Sequence, residues 1–440
     1  MYQYLKTLKL LPLVVFLLCM SLVKQCKDGN FMSNELMIHQ TLIEVSSTEA
    51  WIDISIPAPT KTIPVIMKRN GIPIRDFQLN TRTVFSDSGL TPGERYDYQV
   101  FSEDIQISPI VSNLVSATTL DTTSHDIHWT VYQFGNAPSS SLNDIWIDND
   151  IIFAGGKIWQ GNFQDTSQNV LDQFSGVYGN NQTLDLLQII YQFPSYKSIL
   201  NIYGIWKNNT GSYWLTAGNI YKWDGTDNIE LSYQRDISTS QIALVLWGLS
   251  DSLMYSGGTE GLLLKYQHNR WTNLNMNSDS YFTDIWGCVD EEYRAPIVYA
   301  TIWSPEIGSV NELLRIYPDN SVGIIDLRPF VNEVVPYSVW FKNKNIIYVA
   351  GNRLFRRNPE NQWKIMNRFD DYFISKVRGL NHNDVFAISE TGTIFHFNGN
   401  TWKEFLPKPD IFLQSLFLTE NKIIVVGYDA VYAYLIKGVR

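Results

Sequence analysis

Residues Val245–Trp271 read VLWGLSDSLMYSGGTEGLLLKYQHNRW, and the fold prediction depends on this stretch. Apolar runs of strand length end at Trp247, Tyr255 and Tyr266, and a fourth run begins at Trp271. Ser-Asp-Ser, Gly-Gly and His-Asn turns separate them. This alternation is typical of a four-stranded antiparallel meander. A meander that is apolar on both faces needs further copies of itself to bury them.

Further copies of the meander are marked by one aromatic position in each unit. Five tryptophans occupy this position, and Arg378 and Phe417 replace them in the last two units: Trp146, Trp206, Trp247, Trp286 and Trp340. The successive intervals are 60, 41, 39, 54, 38 and 39 residues. Four of these are close to the length of one propeller blade, and the two long ones indicate inserted loops. The sequence therefore predicts an all-β chain containing a seven-bladed β-propeller.

The way the ring closes is predicted from its outer strands. Three units end on a strand led by a tryptophan, at Trp271, Trp363 and Trp402, but the last unit ends at Arg440 without one. An unassigned strand of this type, beginning at His128, precedes the first unit. We predict that residues 128–134 form the outer strand of the last blade, so that the propeller spans 128–440. This pairing would also hide two strand edges that favour aggregation.

Composition excludes several classes of function. The chain is 45% hydrophobic and 14% aromatic, which is enough for a packed core. Its net charge of −10 argues against nucleic-acid binding, which needs a basic face. Three cysteines, Cys19, Cys26 and Cys288, cannot form a disulfide framework.

Residues 1–26 have the pattern of an export signal. Lys6 and Lys9 precede an apolar run from Leu10 to Val23, which is too short for the roughly 20 residues of a membrane span. Cys26 follows at signal-peptide distance and resembles the lipidated cysteine of a bacterial lipoprotein, although Lys24 stands where such signals have small residues. Lipidation at Cys26, plain cleavage and a retained anchor all remain open.

Residues 36–118 form a separate all-β unit in the sequence pattern. Asn70-Gly71 between two apolar runs is a strong hairpin signal. LTPGERYDYQV, beginning at Leu90, resembles the Pro-Gly turn and tyrosine corner of fibronectin type III domains. The resemblance implies a two-sheet sandwich acting as a spacer or adhesion module, with Trp51 as its core tryptophan. The polar residues 119–127 are predicted to be a linker.

Long polar segments are predicted to be loops on the propeller rim. They are GNFQDTSQNVLDQFSGVYGNNQTLD (161–185), DEEYRAP (290–296) and SPEIGSVNE (304–312). Such loops are where propellers vary their partners, and tolerated variation is the alternative.

The whole chain resembles bacterial cell-envelope lipoproteins that join a fibronectin-like module to a propeller with WD-, kelch- or Asp-box-like repeats. GTIFHFNGNTW (392–402) and GNIYKWDG (218–225) carry the Asp-box likeness, but the glycine pairs of kelch repeats and the Trp-Asp of WD repeats are mostly missing. The resemblance implies a lipid-anchored protein of the periplasm or cell surface, or otherwise a secreted one. Its implied role is a scaffold that binds a protein or glycan through the rim loops.

Three residues are candidate channel or ligand contacts. Asp144 and Asp284 both stand two residues before the tryptophan position, in units nearly opposite each other across the ring. They could bind a cation or a sugar, or act as the acid–base pair of a glycoside hydrolase; the alternative is a bond to a neighbouring blade. Arg378 is either an anion contact or a surface replacement. No metal-ligand spacing, cofactor motif or nucleophile motif is present, so the sequence predicts no cofactor and favours binding over catalysis.

Overall fold

The computed structural model describes residues 37–57, 62–102, 110–161, 171–180, 182–274, 276, 278–304, 311–327, 335–366, 369 and 371–440. The predicted signal peptide, with Cys26, lies outside the described residues, as does most of the 304–312 loop. The described residues are organised almost entirely as β-strands, and none of their helices is long and apolar enough to cross a membrane.

Two antiparallel sheets form the N-terminal part of the chain. One has the order β1-β2-β5 and the other the order β4-β3-β6-β7, with β8 paired to β6. Their strands are β1 His39–Val45, β2 Glu49–Ser55, β3 Ile63–Arg69, β4 Ile72–Leu79, β5 Arg82–Ser88, β6 Arg95–Ser102, β7 Ile110–Val111 and β8 Val115–Thr118. The hairpin predicted at Asn70-Gly71 joins β3 to β4, and both turn residues have the positive φ that such a turn requires.

Tyr96 and Trp51 are the two residues on which the resemblance to fibronectin type III domains depends. The hydroxyl of Tyr96, at the start of β6, accepts a hydrogen bond from the backbone N–H of Thr91 at 2.9 Å. Trp51 is buried, but it packs in a cluster with Trp340 and Leu354 rather than only among its own sheets. The reason is the alternation of β2, which points Trp51 to the face opposite its buried neighbours.

The chain divides into two compact units. One comprises the chain up to Thr41 together with Asp53–Thr83 and Asp97–Val115. The other comprises Leu42–Ile52, Val84–Tyr96 and Ser116–Arg440, and it contains every strand described below.

Seven four-stranded antiparallel sheets occupy the described part of the chain after residue 127. Sheets 1 to 3 are β10 Ser141–Asp148, β11 Ile151–Gly161, β12 Leu171–Gly179, β13 Leu184–Leu187; β16 Gly204–Lys207, β17 Tyr213–Ala217, β18 Asn219–Trp223, β19 Ile229–Tyr233; and β20 Ala243–Ser250, β21 Leu253–Gly258, β22 Leu263–Gln267, β23 Arg270–Asn273. Sheets 4 and 5 are β24 Tyr281–Asp290, β25 Ala295–Trp303, β26 Glu312–Ile316, β27 Val322–Ile325; and β28 Pro336–Trp340, β29 Ile347–Gly351, β30 Leu354–Arg357, β31 Trp363–Ile365. Sheets 6 and 7 are β32 Ile374–Asn381, β33 Asp384–Ser389, β34 Ile394–Phe397, β35 Trp402–Phe405; and β36 Phe412–Leu418, β37 Lys422–Tyr428, β38 Ala433–Val439, with β9 His128–Phe134.

The sheets are arranged as a β-propeller. In sheets 1 to 6 the strands pair in chain order as a meander, as do the first three strands of sheet 7, and the first strand of each sheet contacts the first strand of the next. The first strand of sheet 7 also contacts the first strand of sheet 1, so the succession returns to its start. Strands that contact their neighbours in a closed cycle must surround an axis, which is the defining arrangement of a propeller.

The last sheet takes its outer strand from the beginning of the propeller sequence. Strand β9 pairs antiparallel with β38 over its whole length, from His128 opposite Val439 to Phe134 opposite Ala433. The indole of Trp129 lies against the ring of Phe405 in sheet 6, with 5.5 Å between centroids. The first and last strands of the propeller sequence, β9 and β38, are therefore joined by a β-ladder.

The 60-residue interval between Trp146 and Trp206, in sheets 1 and 2, does not come from the single inserted loop that the sequence predicted. The segment predicted as one inserted loop, 161–185, contains a regular strand, β12, which pairs with both β11 and β13. The added length includes a separate two-stranded hairpin, β14 Ile190–Gln192 and β15 Lys197–Ile199. The polar composition of β12 indicated a loop because its first half is exposed, with buried residues only from Ser175 to Val177.

The core of the propeller lies between neighbouring sheets. One cluster joins Trp247 and Tyr255 of sheet 3 to Phe282 and Ile285 of sheet 4, all at most 8% exposed. Comparable buried clusters join the other sheets. Burying large aromatic side chains between sheets is the main stabilising contribution of the hydrophobic effect in such a ring.

Candidate binding site in the channel

A cavity of about 320 Å³ opens at the centre of the propeller. Its walls come from the first strands of six sheets, β10, β16, β20, β24, β32 and β36, so it must lie on the ring axis. Most of its lining is aromatic or aliphatic, and the aromatic side chains are Trp146, Trp206, Trp247, Trp286 and Phe417. These five residues all occupy the repeated tryptophan position found in the sequence.

A β-bulge recurs just before this position. Six of the seven first strands shift register three residues before it, and in the first sheet the shift falls between Leu142 and Asp144. A bulge adds one unpaired residue and re-aims the side chains that follow it. The repeated bulge therefore gives the residues after it the same direction in each sheet.

The tryptophan rings serve as contacts between sheets. A Cβ added to Gly248 would lie 2.4 Å from Cε2 of Trp206, which belongs to the preceding sheet. Trp247 and Trp340 are equally close to Gly287 and Gly379 of the sheets that follow them. Each of these rings lies against a glycine that has no side chain to keep it away, so the three rings pack between sheets and at most 8% of each is exposed.

Asp144 bonds to the two sheets that flank its own. Its carboxylate accepts the backbone N–H of Ile205 in sheet 2 at 2.7 Å and the hydroxyl of Ser415 in sheet 7 at 2.7 Å. Burial raises the pKa of Asp144, against the opposing charge of Lys376 and these hydrogen bonds. Asp144 therefore connects the first sheet to its neighbours, which is the alternative considered for it from the sequence.

Asp284 lies in a saturated ionic cluster. Its Oδ2 accepts the hydroxyl of Ser338 at 2.6 Å and the N–H of Val339 at 3.1 Å, both in sheet 5. Both terminal nitrogens of Arg378 donate to its two oxygens, at 2.7 and 2.8 Å, and Lys376 Nζ lies 3.3 Å from Oδ1. Burial opposes the charged form, but Arg378 and Lys376 outweigh it and hold the pKa of Asp284 well below its usual range.

Arg378 is therefore neither a free anion contact nor a surface replacement. Its side chain is only 15% exposed, and its guanidinium also lies over the ring of Trp286, 4.6 Å from the centroid. It replaces a tryptophan in sheet 6 and reaches across to sheet 4, passing sheet 5. Arg378 and Asp284 were predicted separately, and the structure brings them into one ion pair.

Lys376 is the residue of this cluster that the sequence interpretation missed. It stands two residues before Arg378, at the position that Asp144 and Asp284 occupy in their own sheets. Burial lowers the pKa of its ammonium group, and the charge of Asp284 opposes that shift. Comparing this position across all seven units would have shown two aspartates facing one lysine, with the arginine two residues further on.

This geometry bears directly on the glycoside hydrolase alternative. Such an enzyme needs one carboxylate free to attack or to activate water, and another free to protonate the leaving group. Both oxygens of Asp284 are occupied by donors from the protein, and Asp144 accepts two hydrogen bonds from adjacent sheets. Among the described residues, no group of three or more His, Cys, Asp or Glu side chains could hold a metal ion.

Comparisons with known proteins add structural neighbours. No protein-family model matches the sequence, and no curated protein matches it. The chain is similar in structure to YCF48 bound to a D1 peptide, with a TM-score of 0.47 and 11% identity over 72% of this chain and 99% of that one. It is similar to YCF48 from Cyanidioschyzon merolae, with a TM-score of 0.46 and 12% identity over 70% of this chain and 98% of that one. For the WD40 β-propeller domain of Doa1 the TM-score is 0.44, with 10% identity over 70% of this chain and 97% of that one.

Proposed function

We propose that this protein is a binding protein that takes an apolar segment of a partner protein into its central channel. The observation that carries this proposal is the cavity of about 320 Å³, which has a mainly aromatic and aliphatic lining. A concave, apolar site with a few polar groups is typical of ligand binding. Because the carboxylates beside the cavity are consumed by bonds within the protein, the site offers binding without acid–base chemistry.

The lining favours an apolar side chain over a sugar. A sugar ring stacks on the open face of an aromatic side chain, but Trp206 and Trp247 are each 8% exposed and lie against glycines of the next sheet. Of the two more exposed tryptophans, Trp286 is covered by the guanidinium of Arg378 and Trp146 packs against Phe417. The aromatic lining, together with Leu246 and Leu380, matches the side chain of a leucine, methionine or phenylalanine. Residues 162–170 and 305–310, in the predicted rim loops, lie outside the described residues, so the proposal rests on the channel.

The proposal includes a ring of seven blades. The closed succession of first strands among the seven sheets supports this number, as does the ladder between β9 and β38. In such a ring the sheet that contains both ends of the propeller sequence holds the ring shut. A partner bound on the axis would contact six blades at once, so the closed ring would keep the site in shape.

We further propose a fibronectin-like spacer at the N-terminus and a lipid anchor at Cys26 in the cell envelope. The hydrogen bond between Tyr96 and Thr91 and the two antiparallel N-terminal sheets support the spacer. The anchor rests on the pattern of the leader sequence. Mass spectrometry of the mature N-terminus tests it: an acylated Cys26 is expected, and an unacylated terminus at any other residue refutes the anchor.

The channel proposal is tested with a displayed peptide library selected on the full chain. Peptides that share an apolar anchor residue are expected to be enriched. Their affinity is then measured for the wild type, for Leu246→Arg, which puts a charge at the cavity wall, and for Ile237→Arg. Ile237 is 82% exposed and does not line the cavity, which makes it the matched control.

The expected result is at least a tenfold loss of affinity for Leu246→Arg and no change for Ile237→Arg. Denaturant unfolding of both variants establishes that they are folded. Enriched peptides that bind equally well to both variants would place the binding surface outside the channel. A selection that yields no peptides, together with a positive glycan array, would replace the protein partner with a glycan.

A further inference from the structure

A second cavity, of about 300 Å³, lies between sheets 4 and 5, away from the channel. Arg315 on β26 and Arg357 on β30 line it from the two sheets, and Lys344 lines it from the turn between β28 and β29. Asp290, at the end of β24, is the one acidic residue of the described lining. The cavity is therefore basic within a chain of net charge −10.

The two arginines are held in place without carboxylate partners. The guanidinium of Arg315 stacks on the ring of Tyr317, 4.8 Å from the centroid, and makes no hydrogen bond or ion pair with the residues that the structure describes. Stacking uses the face of the guanidinium and leaves its N–H edges available. Arg357 donates to the backbone oxygen of Lys344 at 2.6 Å, and it forms no ion pair within the described part of the chain.

The acidic residue of the cavity is already neutralised. Both oxygens of Asp290 accept from Lys344 Nζ, at 3.2 and 3.0 Å, and Glu292 also binds this ammonium group at 2.9 Å. Asp290 is 9% exposed and forms an ion pair with Lys344. The two arginines are thus the charges of the cavity lining that have no carboxylate partner, and the surplus negative charge beside Lys344 lies on Glu292, which is 64% exposed and does not line the cavity.

The neighbouring pair of sheets shows what a completed arrangement looks like. Lys265 in sheet 3 occupies the same strand position as Arg315, because each lies opposite the tyrosine that pairs with its sheet's first-strand tryptophan. Lys265 Nζ donates to Asn320 Oδ1 at 2.6 Å and lies 3.4 Å from the backbone oxygen of Pro318, both in the turn of sheet 4.

The equivalent turn of sheet 5 holds the same residue types, Pro359 and Asn361. They line the far wall of the cavity, and no bond joins them to Arg315 within the described residues. Asn320 and Asn361 share the same left-handed backbone conformation, with φ of 72° and 61°. The two interfaces therefore differ at this position: the cation of the first is bonded to acceptors in the turn, whereas that of the second faces an open basic cavity.

We propose that this cavity is a binding site for a small oxyanion, a carboxylate or phosphate group held by Arg315 and Arg357 from opposite sheets. The planar fork of arginine matches both groups and binds them through paired hydrogen bonds. The ligand takes the place that the protein's own acceptors hold beside Lys265. Because it bridges two sheets, the ligand also fastens sheet 4 to sheet 5.

Titration calorimetry on the full chain tests this site, with inorganic phosphate and malonate as the two probes. Both anions are expected to bind. The one with the higher affinity shows whether the site prefers a phosphate or a carboxylate group. Arg315→Gln and Arg357→Gln are each expected to weaken binding at least tenfold. Arg270→Gln is the matched control, because Arg270 is exposed on the outer strand of sheet 3.

Thermal unfolding provides the second measurement. The bound anion is expected to raise the midpoint of the wild type and of Arg270→Gln in a saturable way, and not that of Arg315→Gln, since a ligand specific to the folded state stabilises it. Arg315→Lys covers the case in which the glutamine variant does not fold, with partial binding expected. Absence of saturable binding to the wild type, or binding that Arg270→Gln weakens as much as Arg315→Gln, would overturn the proposal.

Discussion

The contact between Trp206 and Gly248 offers the sharpest test of how the sheets pack. A Cβ at Gly248 would lie 2.4 Å from Cε2 and 2.7 Å from Cδ2 and Cζ2 of the indole. Trp206 is 8% exposed and is packed between sheets 2 and 3, with the channel cavity on one side. Forcing one extra methyl group into a packed core costs about 1–3 kcal/mol, and we expect Gly248→Ala to reach the upper part of this range because the obstacle is a rigid ring.

A double-mutant cycle separates this contact from other effects. Trp206→Ala alone is expected to cost about 3–5 kcal/mol, the range for removing a buried tryptophan. In that background the space beside Gly248 is empty, so Gly248→Ala should be neutral or gain about 0.4–1 kcal/mol by restricting the unfolded chain. The coupling between the two substitutions is then about 2–4 kcal/mol in favour of the double variant.

The assay is urea unfolding followed by far-ultraviolet circular dichroism, because the 14 tryptophans of the chain make fluorescence ambiguous. Thr272→Ala, at an exposed position on the outer strand of the same sheet, serves as the control and is expected to change stability by less than about 0.5 kcal/mol. If Gly248→Ala costs as much in the Trp206→Ala background as in the wild type, the ring does not rest on this glycine and the packing argument is refuted.

Three further predictions follow from the propeller. Burial and two nearby cations lower the pKa of His382 to about 3. The stability that neutral His382 contributes is therefore fully present above the unfolded pKa of 6.5 and falls as the pH drops below it. Urea titrations should show the wild type losing about 2 kcal/mol between about pH 7.5 and pH 5 through this group. The His382→Gln variant should not show this part of the loss. Asp284→Asn should cost about 3–5 kcal/mol because it leaves Arg378 and Lys376 without their carboxylate, Arg378→Gln should cost less because Lys376 still pairs with Asp284, and the double variant should cost less than the sum in the same assay. Val131→Pro and Tyr132→Pro place proline at two successive positions of the closing strand, opposite Ile436 and Leu435, so one of them removes a ladder hydrogen bond and should lower the thermal midpoint; two unchanged midpoints would mean that the β9 ladder does not support the ring.

The sequence predicts the propeller because its repeats obey a short physical rule. Each sheet must bury both of its faces, so each unit carries a large residue, usually aromatic, at the same position, as at Trp247 and Trp286. This position identifies the units in the sequence. The glycines were readable too, since Trp247-Gly248 and Trp286-Gly287 stand side by side in the chain. What the sequence conceals is that Trp206, Trp247 and Trp340 each pack on the glycine of the next unit and not on the residue that follows them in the chain, a relation that exists only after the propeller has formed.

The polar groups of the channel were harder to interpret for a related reason. Asp144 and Asp284 share one sequence position, and this suggested a common chemical role. The structure gives them different partners, because the donors come from other sheets: Ser415 for the first, and Arg378 with Lys376 for the second. Spacing within one unit cannot show which side chains from distant units meet at the axis, so a charge at a repeated position indicates a site but not its partner.

The ion pair at the axis suggests why sheet 6 lacks the tryptophan. A seventh aromatic residue at this position would leave the buried carboxylate of Asp284 with Lys376 alone, and an undercompensated buried charge is more costly than a lost aromatic contact. Arg378 meets both demands, because its guanidinium pairs with Asp284 while its plane covers Trp286 at 4.6 Å. Arg378→Trp would restore the repeat and remove the paired hydrogen bonds of Asp284, leaving Lys376 as its cation, so we expect it to destabilise the fold, whereas Arg378→Trp combined with Asp284→Asn should recover much of the loss. A single Arg378→Trp variant as stable as the wild type would show that the aromatic repeat, and not the charge, governs this position.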